Sequence, residues 1–256
     1  MYALFIDETN VEPTVEGKFF IFGGLILGIN SLQELDVKIR EIRKEAGFKE
    51  KDLFKFETHS KPQYVSQEKF NEAKNKVLTT CAKNNASFIA YLIHHDVLNK
   101  SIKIESAINS LTSGYNLFLE EKKSVGMCFY DRMPKVNSQF DLLKDNFSEG
   151  LKFPSGKRIP LEKIILHSIT CAGLSNIYSA VDIVLGSFRY CVNKPKNEKI
   201  ASSMINKISS MVWGDREGNK VLCIGKGVIL RPISVSKNYS KDYDDLIDNI
   251  NLLLSK

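Results

Sequence analysis

Two apolar segments open the chain, YALFIDET at residues 2–9 and KFFIFGGLILGI at residues 18–29. A polar connection containing Pro and Gly joins them, which is typical of an antiparallel β-hairpin. Farther along, apolar residues at helical spacing alternate with strand-like runs such as SFIAYLI at 87–93 and VGMCFY at 125–130. This order predicts an α/β protein in which a mixed sheet carries helices on both faces.

The chain of 256 residues contains no internal repeat, no flexible linker and no low-complexity segment, which predicts a single domain over 1–256. Its net charge of +6 is uneven, because residues 187–241 hold eleven Lys and Arg and only three Asp and Glu. We interpret 187–241 as a basic elaboration that either follows a phosphate backbone or forms a solvated lysine-rich surface. The tail at about 242–256 has the amphipathic pattern of a docking helix.

Composition excludes several classes of protein. The chain is 43% apolar and 26% charged, which is ordinary for a globular protein. Its longest apolar stretch, at 19–29, is shorter than the roughly 20 residues that cross a bilayer, and its first residues lack the basic region of a secretory signal. Five scattered cysteines without a CxxC pair predict no disulfide framework. We therefore expect a cytoplasmic protein with no membrane partner.

Three carboxylates lie at the end of, or within, apolar elements. Asp7 follows YALFI, Asp131 follows VGMCFY, and Asp182 lies inside SAVDIVLGSF. Strand ends open onto the crevice where open α/β sheets bind ligands, and a carboxylate in so apolar a helix needs a cation or donors nearby. Each acid has a local alternative: turn amides for Asp7, Arg132 for Asp131, and Arg189 or a lysine for Asp182. Taken together, they predict a site for Mg²⁺ or Mn²⁺, since hard cations prefer oxygen ligands.

A fourth acid, Glu57, lies in FKFETHS between Lys55 and His59. We interpret this segment as a short strand, in which residues 55, 57 and 59 share one face. Beside a scissile phosphate, Glu57 would be a metal ligand, Lys55 an electrostatic clamp and His59 a proton shuttle. The alternative is an ordinary solvent-facing strand, which has polar residues at the same alternate positions.

The same residues resemble a known family. LFIDETN followed by FFIFGGLIL resembles the opening of the domain-of-unknown-function 3800 family, FETH is similar to its E-x-H element, and CFYDR is similar to its internal strand ending in Asp. SAVD at 179–182 resembles its terminal helix, although Ser179 and Val181 replace the family's Gln and Ala. The resemblance covers most of 1–192. It implies a ribonuclease H-like fold and a metal-dependent nuclease site; the ligands would be Asp7, Glu57, Asp131 and Asp182.

Two functions follow as hypotheses. The first is a Mg²⁺- or Mn²⁺-dependent nuclease that acts on RNA or DNA, and the second is a non-catalytic module that binds nucleic acid or protein. A nucleotide cradle at Gly23, Gly24 and Gly28 is disfavoured, because the GxGxxG spacing and a following helix N-terminus are both missing. The apolar helix near 177–192 and the amphipathic tail leave a homo-oligomer open.

Overall fold

The computed structural model describes residues 1–9, 11–13, 17–133, 136–152, 156–193, 198–218 and 220–254. The strands are β1 (Tyr2–Thr9), β2 (Phe19–Gly28), β3 (Ser87–His94), β4 (Gly126–Asp131), β5 (Leu151–Lys152), β6 (Arg158–Ile159), β7 (Ile164–Thr170), β8 (Asp215–Glu217), β9 (Lys220–Leu222) and β10 (Val228–Arg231). The helices are α1 (Leu32–Ala46), α2 (Gln67–Lys83), α3 (Lys100–Glu121), α4 (Val136–Glu149), α5 (Asn176–Asn193), α6 (Glu198–Met211) and α7 (Lys237–Leu254). Asn10 of the opening motif, Lys194 and Lys196 of the basic stretch, and the end of the predicted docking helix at 255–256 lie outside the described residues.

Six strands form the main sheet in the order β10-β3-β2-β1-β4-β7. The predicted hairpin is confirmed, because β1 and β2 pair antiparallel from Tyr2 opposite Gly28 to Thr9 opposite Ile21. Strand β2 is also antiparallel to β3, whereas the pairs β1–β4, β4–β7 and β3–β10 are parallel. Five strands therefore run in one direction, and their carboxyl ends lie along a single edge of the sheet.

Helices cover both faces of this sheet, as the sequence predicts. Residues of α1, α2, α5, α6 and α7 pack with Ala3 and Phe5 of β1 in one core. Residues of α3 and α4 pack with Leu4 and Ile6 in the other. Successive strand residues point to opposite faces, so a strand that is buried on both faces must be apolar throughout. This explains the unbroken apolar run at the start of β1.

The basic stretch at 187–241 takes part in the sheet itself. Its last strand, β10, pairs parallel with β3 and places Arg231 beside Ile93. The tail forms α7, which begins at Lys237 and contributes buried Tyr243, Leu246 and Ile250 to the first core. Among the described helices, none combines the length and the apolar character that crossing a bilayer requires.

Candidate functional site

Asp7 and Asp131 occupy matching positions on neighbouring parallel strands. The register of β1 and β4 pairs Ile6 with Tyr130, so the two aspartates come next along each strand. Two residues earlier on each strand, the rings of Phe5 and Phe129 stack at 5.0 Å on the face that α5 covers. Because side chains alternate along a strand, Asp7 and Asp131 project to that same face.

Helix α5 brings Asp182 to this place. The ring of Tyr178 meets the ring of Phe5 edge-on at 5.8 Å, and Asp182 follows Tyr178 by one helical turn. The Asp182 carboxylate accepts a hydrogen bond of 2.6 Å from the backbone N–H of Phe56. Asp7 near the end of β1, Asp131 at the end of β4 and Asp182 in the middle of α5 therefore lie on the same side of the sheet.

The segment that carries Glu57 is not a strand, so that prediction is wrong. Residues 52–57 form no ladder, and a short 3₁₀ turn, Thr58–Ser60, follows. The segment packs on α5, where Gly186 makes room for it: a Cβ at Gly186 would lie 2.5–2.7 Å from atoms of Phe56. Phe56 is buried, and Lys55 and Glu57 on either side of it are half-buried beside α5. His59 lies exposed in the 3₁₀ turn, so the predicted alternation of 55, 57 and 59 ends at Glu57.

The electrostatics show that the acids act on one another. Burial raises the pKa of Asp7 well above its ordinary value, and Glu8, Asp182 and Asp131 raise that pKa further. Against this, the Asp7 carboxylate accepts one hydrogen bond of 2.8 Å from the backbone N–H of Glu8. Burial also raises the pKa of Glu8 to about 7, with Asp131 as the next contributor. We call Asp7, Glu8, Asp131 and Asp182 the acidic cluster.

Cations lie beside the acidic cluster, as the burial of Asp182 requires. Burial raises the pKa of Asp182, while the Phe56 N–H, Lys55 and Arg189 lower it. Lys55 also lowers the pKa of Glu8. The guanidinium of Arg189 forms its ion pair with Glu57 rather than with Asp182. The predicted alternative of an Asp182–Arg189 pair is therefore replaced by a longer-range attraction.

Lys74 is a part of the site that sequence reasoning missed. Its side chain is buried on α2, donates a hydrogen bond of 3.3 Å to the carbonyl of Phe56, and lies 4.7 Å from the centre of the Phe56 ring. Burial lowers its pKa, and the charge of Glu57 partly opposes this. The sequence did hold an indication of its burial, because Lys74 lies on the same face of α2 as the apolar residues Phe70 and Val77. Lys74 holds the 52–57 segment against the first core.

Three of the described cations of the basic stretch have side-chain partners. Lys226 pairs with Glu121 and Asp215, Lys207 donates to Asn75, and Arg189 pairs with Glu57. A cation paired with an acid releases fewer counterions when a phosphate backbone binds, so Lys226 and Arg189 contribute little to such a surface. Lys220, Lys237 and Lys241 lie exposed in the same stretch, so both interpretations of 187–241 stay open.

The donor chemistry of the acidic cluster fits a hard divalent cation, but the side chains are not drawn together into a ready metal site. Within the described ranges, no three His, Cys, Asp or Glu side chains are gathered closely enough to hold an ion jointly. Glu8 Oε2 is buried without a hydrogen-bond partner among the described residues. Mg²⁺ usually takes only one or two carboxylates and completes its shell with water and phosphate oxygens. Asp7 and Asp131, which follow paired residues on neighbouring strands, are two such carboxylates.

Comparison with models of known protein families and with curated proteins gives no match for this chain. The resemblance to the domain-of-unknown-function 3800 family therefore remains a prediction from the short motifs of this sequence.

Proposed function

We propose that this protein is a Mg²⁺- or Mn²⁺-dependent nuclease that hydrolyses phosphodiester bonds in RNA or DNA. The observation that carries this proposal is the burial of Asp7 in the company of Asp131 and Asp182, which raises its pKa far from the ordinary range. Like charges that share a buried pocket must either bind protons or meet a cation. An all-oxygen set at the carboxyl edge of a sheet favours a hard divalent cation.

A ribonuclease H-like fold is part of the proposal. The family resemblance implies that Asp7 lies on the first strand, Asp131 on a neighbouring strand and Asp182 on the last helix. The three residues lie on β1, β4 and α5, which supports this assignment. Two further helices, α6 and α7, follow α5 in this chain, so α5 is not the terminal helix that the resemblance implies.

Each residue has a role in the proposed reaction. Asp7 and Asp131 would hold the ion, with Asp182 adding a negative charge beside them; the ion when bound supplies a Lewis acid for the phosphate and a water of lowered pKa. Lys55 faces the acidic cluster and would neutralise the scissile phosphate. Glu57 would complete the set of acids, with its carboxylate fixed by Arg189. His59 is exposed, which suits exchange of a proton with solvent.

The test is cleavage of labelled single- and double-stranded RNA and DNA in the presence of Mn²⁺. We expect an Asp7→Asn/Asp131→Asn variant to lose at least about 100-fold in rate, since even outer-shell changes around metals cost 10–100-fold. A matched control is Asp245→Asn/Asp248→Asn, which makes the same changes at exposed positions of α7. Equal cleavage by the wild type and the Asp7/Asp131 variant would refute the proposal.

The second candidate is a non-catalytic binding module on the same scaffold. It is favoured by the ion pair of Glu57 with Arg189 and by the lack of a preassembled three-acid metal site among the described residues. This candidate predicts binding of nucleic acid that weakens with salt. It also predicts a melting temperature that does not respond to Mn²⁺, whereas the nuclease predicts that Mn²⁺ raises it.

A further inference from the structure

A cavity of about 530 Å³ lies between α3, β5 and the end of β10. It opens on the α3 side of the sheet, whereas Asp7 and Asp131 lie on the opposite side with α5, which carries Asp182. Pockets for small molecules commonly measure about 300–1,000 Å³, so this α3 cavity has the size of a ligand site. Its apolar lining comes from Leu98, Ile102 and Leu151.

One wall of the α3 cavity is a stripe of polar residues on a single helix face. Ser106, Asn109, Ser110 and Ser113 follow one another at the spacing i, i+3, i+4 and i+7, and all four are partly buried. This spacing on a half-buried helix face normally belongs to apolar residues that meet a core. In α3 the stripe lines a cavity instead of packing against a neighbouring element.

The stripe holds more hydrogen-bond donors than the protein uses. Ser106 Oγ accepts a bond of 3.0 Å from the Tyr91 hydroxyl, which leaves the Ser106 proton available. Asn109 Oδ1 accepts a bond of 2.8 Å from the Asn146 amide, which leaves the Asn109 amide nitrogen available. No described residue forms a hydrogen bond with the hydroxyl of Ser110 or Ser113. A half-buried wall rich in unused donors favours a ligand rich in acceptors.

Arg231 adds a cation to the same cavity. The register of β10 with β3 sets Arg231 beside Ile93, on the α3 side of the sheet, and its side chain is partly buried. Its guanidinium donates a bond of 3.0 Å to the carbonyl of Leu230, and no described carboxylate lies within ion-pair distance. Lys152 also lines the cavity, and Glu105 is the single acid among the described lining residues. The unpaired guanidinium matches the planar, bidentate geometry of a phosphate.

We infer that the α3 cavity binds a small phosphorylated molecule. The phosphate meets Arg231 and the hydroxyls of Ser110 and Ser113, and the rest of the ligand lies against Leu98 and Ile102. The volume accommodates a sugar phosphate or a mononucleotide rather than a polymer. This site is separate from the acidic cluster and does not depend on the proposed nuclease activity.

The experiment is isothermal titration of the full chain with ribose 5-phosphate, with ribose and succinate as the uncharged and carboxylate probes. We expect ribose 5-phosphate to bind in the millimolar range or tighter, and the other two probes to bind at least about tenfold more weakly. Arg231→Gln should raise the dissociation constant by at least about tenfold, the usual effect of losing a hydrogen bond to a charged group. The control Arg40→Gln removes a charge from an exposed position on α1 and should leave the constant unchanged.

A second variant keeps the test decisive if Arg231→Gln does not fold. Ser110→Ala/Ser113→Ala removes two donors and favours the helix, since alanine has the higher helix propensity, and it should weaken binding about tenfold. Three results would overturn the inference. They are no binding of ribose 5-phosphate to the wild type at about 10 mM, unchanged binding in both folded variants, or succinate binding as tightly as the phosphate.

Discussion

Replacing Glu8 by glutamine should stabilise the metal-free protein at neutral pH and have little effect in acid. Burial and the charge of Asp131 raise the pKa of Glu8 from 4.5 to about 7 in the folded protein. Between these two values the folded state holds a proton that the unfolded chain has released. Stability therefore falls as the pH rises from 4.5 to 7, and it levels off above 7, where both states are ionised.

The size of this effect follows from the change in pKa. One pKa unit corresponds to about 1.4 kcal/mol, so the ionised Glu8 carboxylate destabilises the fold by about 3 kcal/mol above pH 7. Glutamine has nearly the same shape and no charge. The free energy of unfolding of Glu8→Gln relative to wild type should therefore increase by up to about 3 kcal/mol between pH 4.5 and pH 8.

The assay is urea denaturation of both proteins in EDTA at pH 4.5, 5.5, 7 and 8. Comparing the variant with the wild type at each pH cancels the contributions of titrating groups that do not interact with Glu8. Glu41→Gln, at an exposed position on α1, makes the same change away from the acidic cluster and should show no such trend. A difference between Glu8→Gln and wild type that is constant across this range would refute the electrostatic account of the cluster.

Three other predictions concern the site and the opposite face. A Mn²⁺ concentration 100 times its dissociation constant should stabilise the wild type by about 2.7 kcal/mol, a rise of several degrees in melting temperature, and should leave Asp7→Asn/Asp131→Asn unchanged. Gly186→Ala should lower the free energy of unfolding in urea by about 1–3 kcal/mol, because its Cβ would clash with Phe56 and this exceeds the helix-propensity gain. An unchanged midpoint would show that the segment is not anchored there. Burial lowers the pKa of His167 to about 4, so stability gained from its neutral ring is lost as the pH falls from 6.5 to 4. An NMR titration of the imidazole should find it neutral at pH 5.5, and a protonated ring at that pH would contradict its burial.

The opening hairpin and the positions of Asp7 and Asp131 were predictable from the sequence. Both depend on local patterns, because an apolar run that reaches a carboxylate indicates a buried strand with that carboxylate near its carboxyl end. Asp131 ends β4, whereas β1 continues two residues past Asp7 to Thr9. Parallel neighbours then bring such ends to one edge. The sequence also predicted that Asp182 would lie near polar or charged groups, because a carboxylate in so apolar a helix is costly to bury without them.

The 52–57 segment shows where local patterns fail. The alternation of Phe54, Lys55, Phe56 and Glu57 is that of a strand, but the phenylalanines pack on helices and not in the sheet. Alternation records that one side of a segment is buried, and it does not identify what covers that side. The strand was therefore predicted wrongly, although its half-buried Lys55 and Glu57 were grouped correctly.

By itself, the sequence determined the class of the fold, its opening hairpin and the acids Asp7 on β1 and Asp131 on β4, because each of these depends on neighbours within a few residues. Only the tertiary structure decided that Glu57 meets Arg189, that Lys74 holds Phe56, and that a polar stripe of α3 faces Arg231 across a cavity. These contacts join segments that are far apart in the chain. Which distant side chains meet depends on how the helices pack on the sheet, and residue spacing within one segment carries no record of that packing.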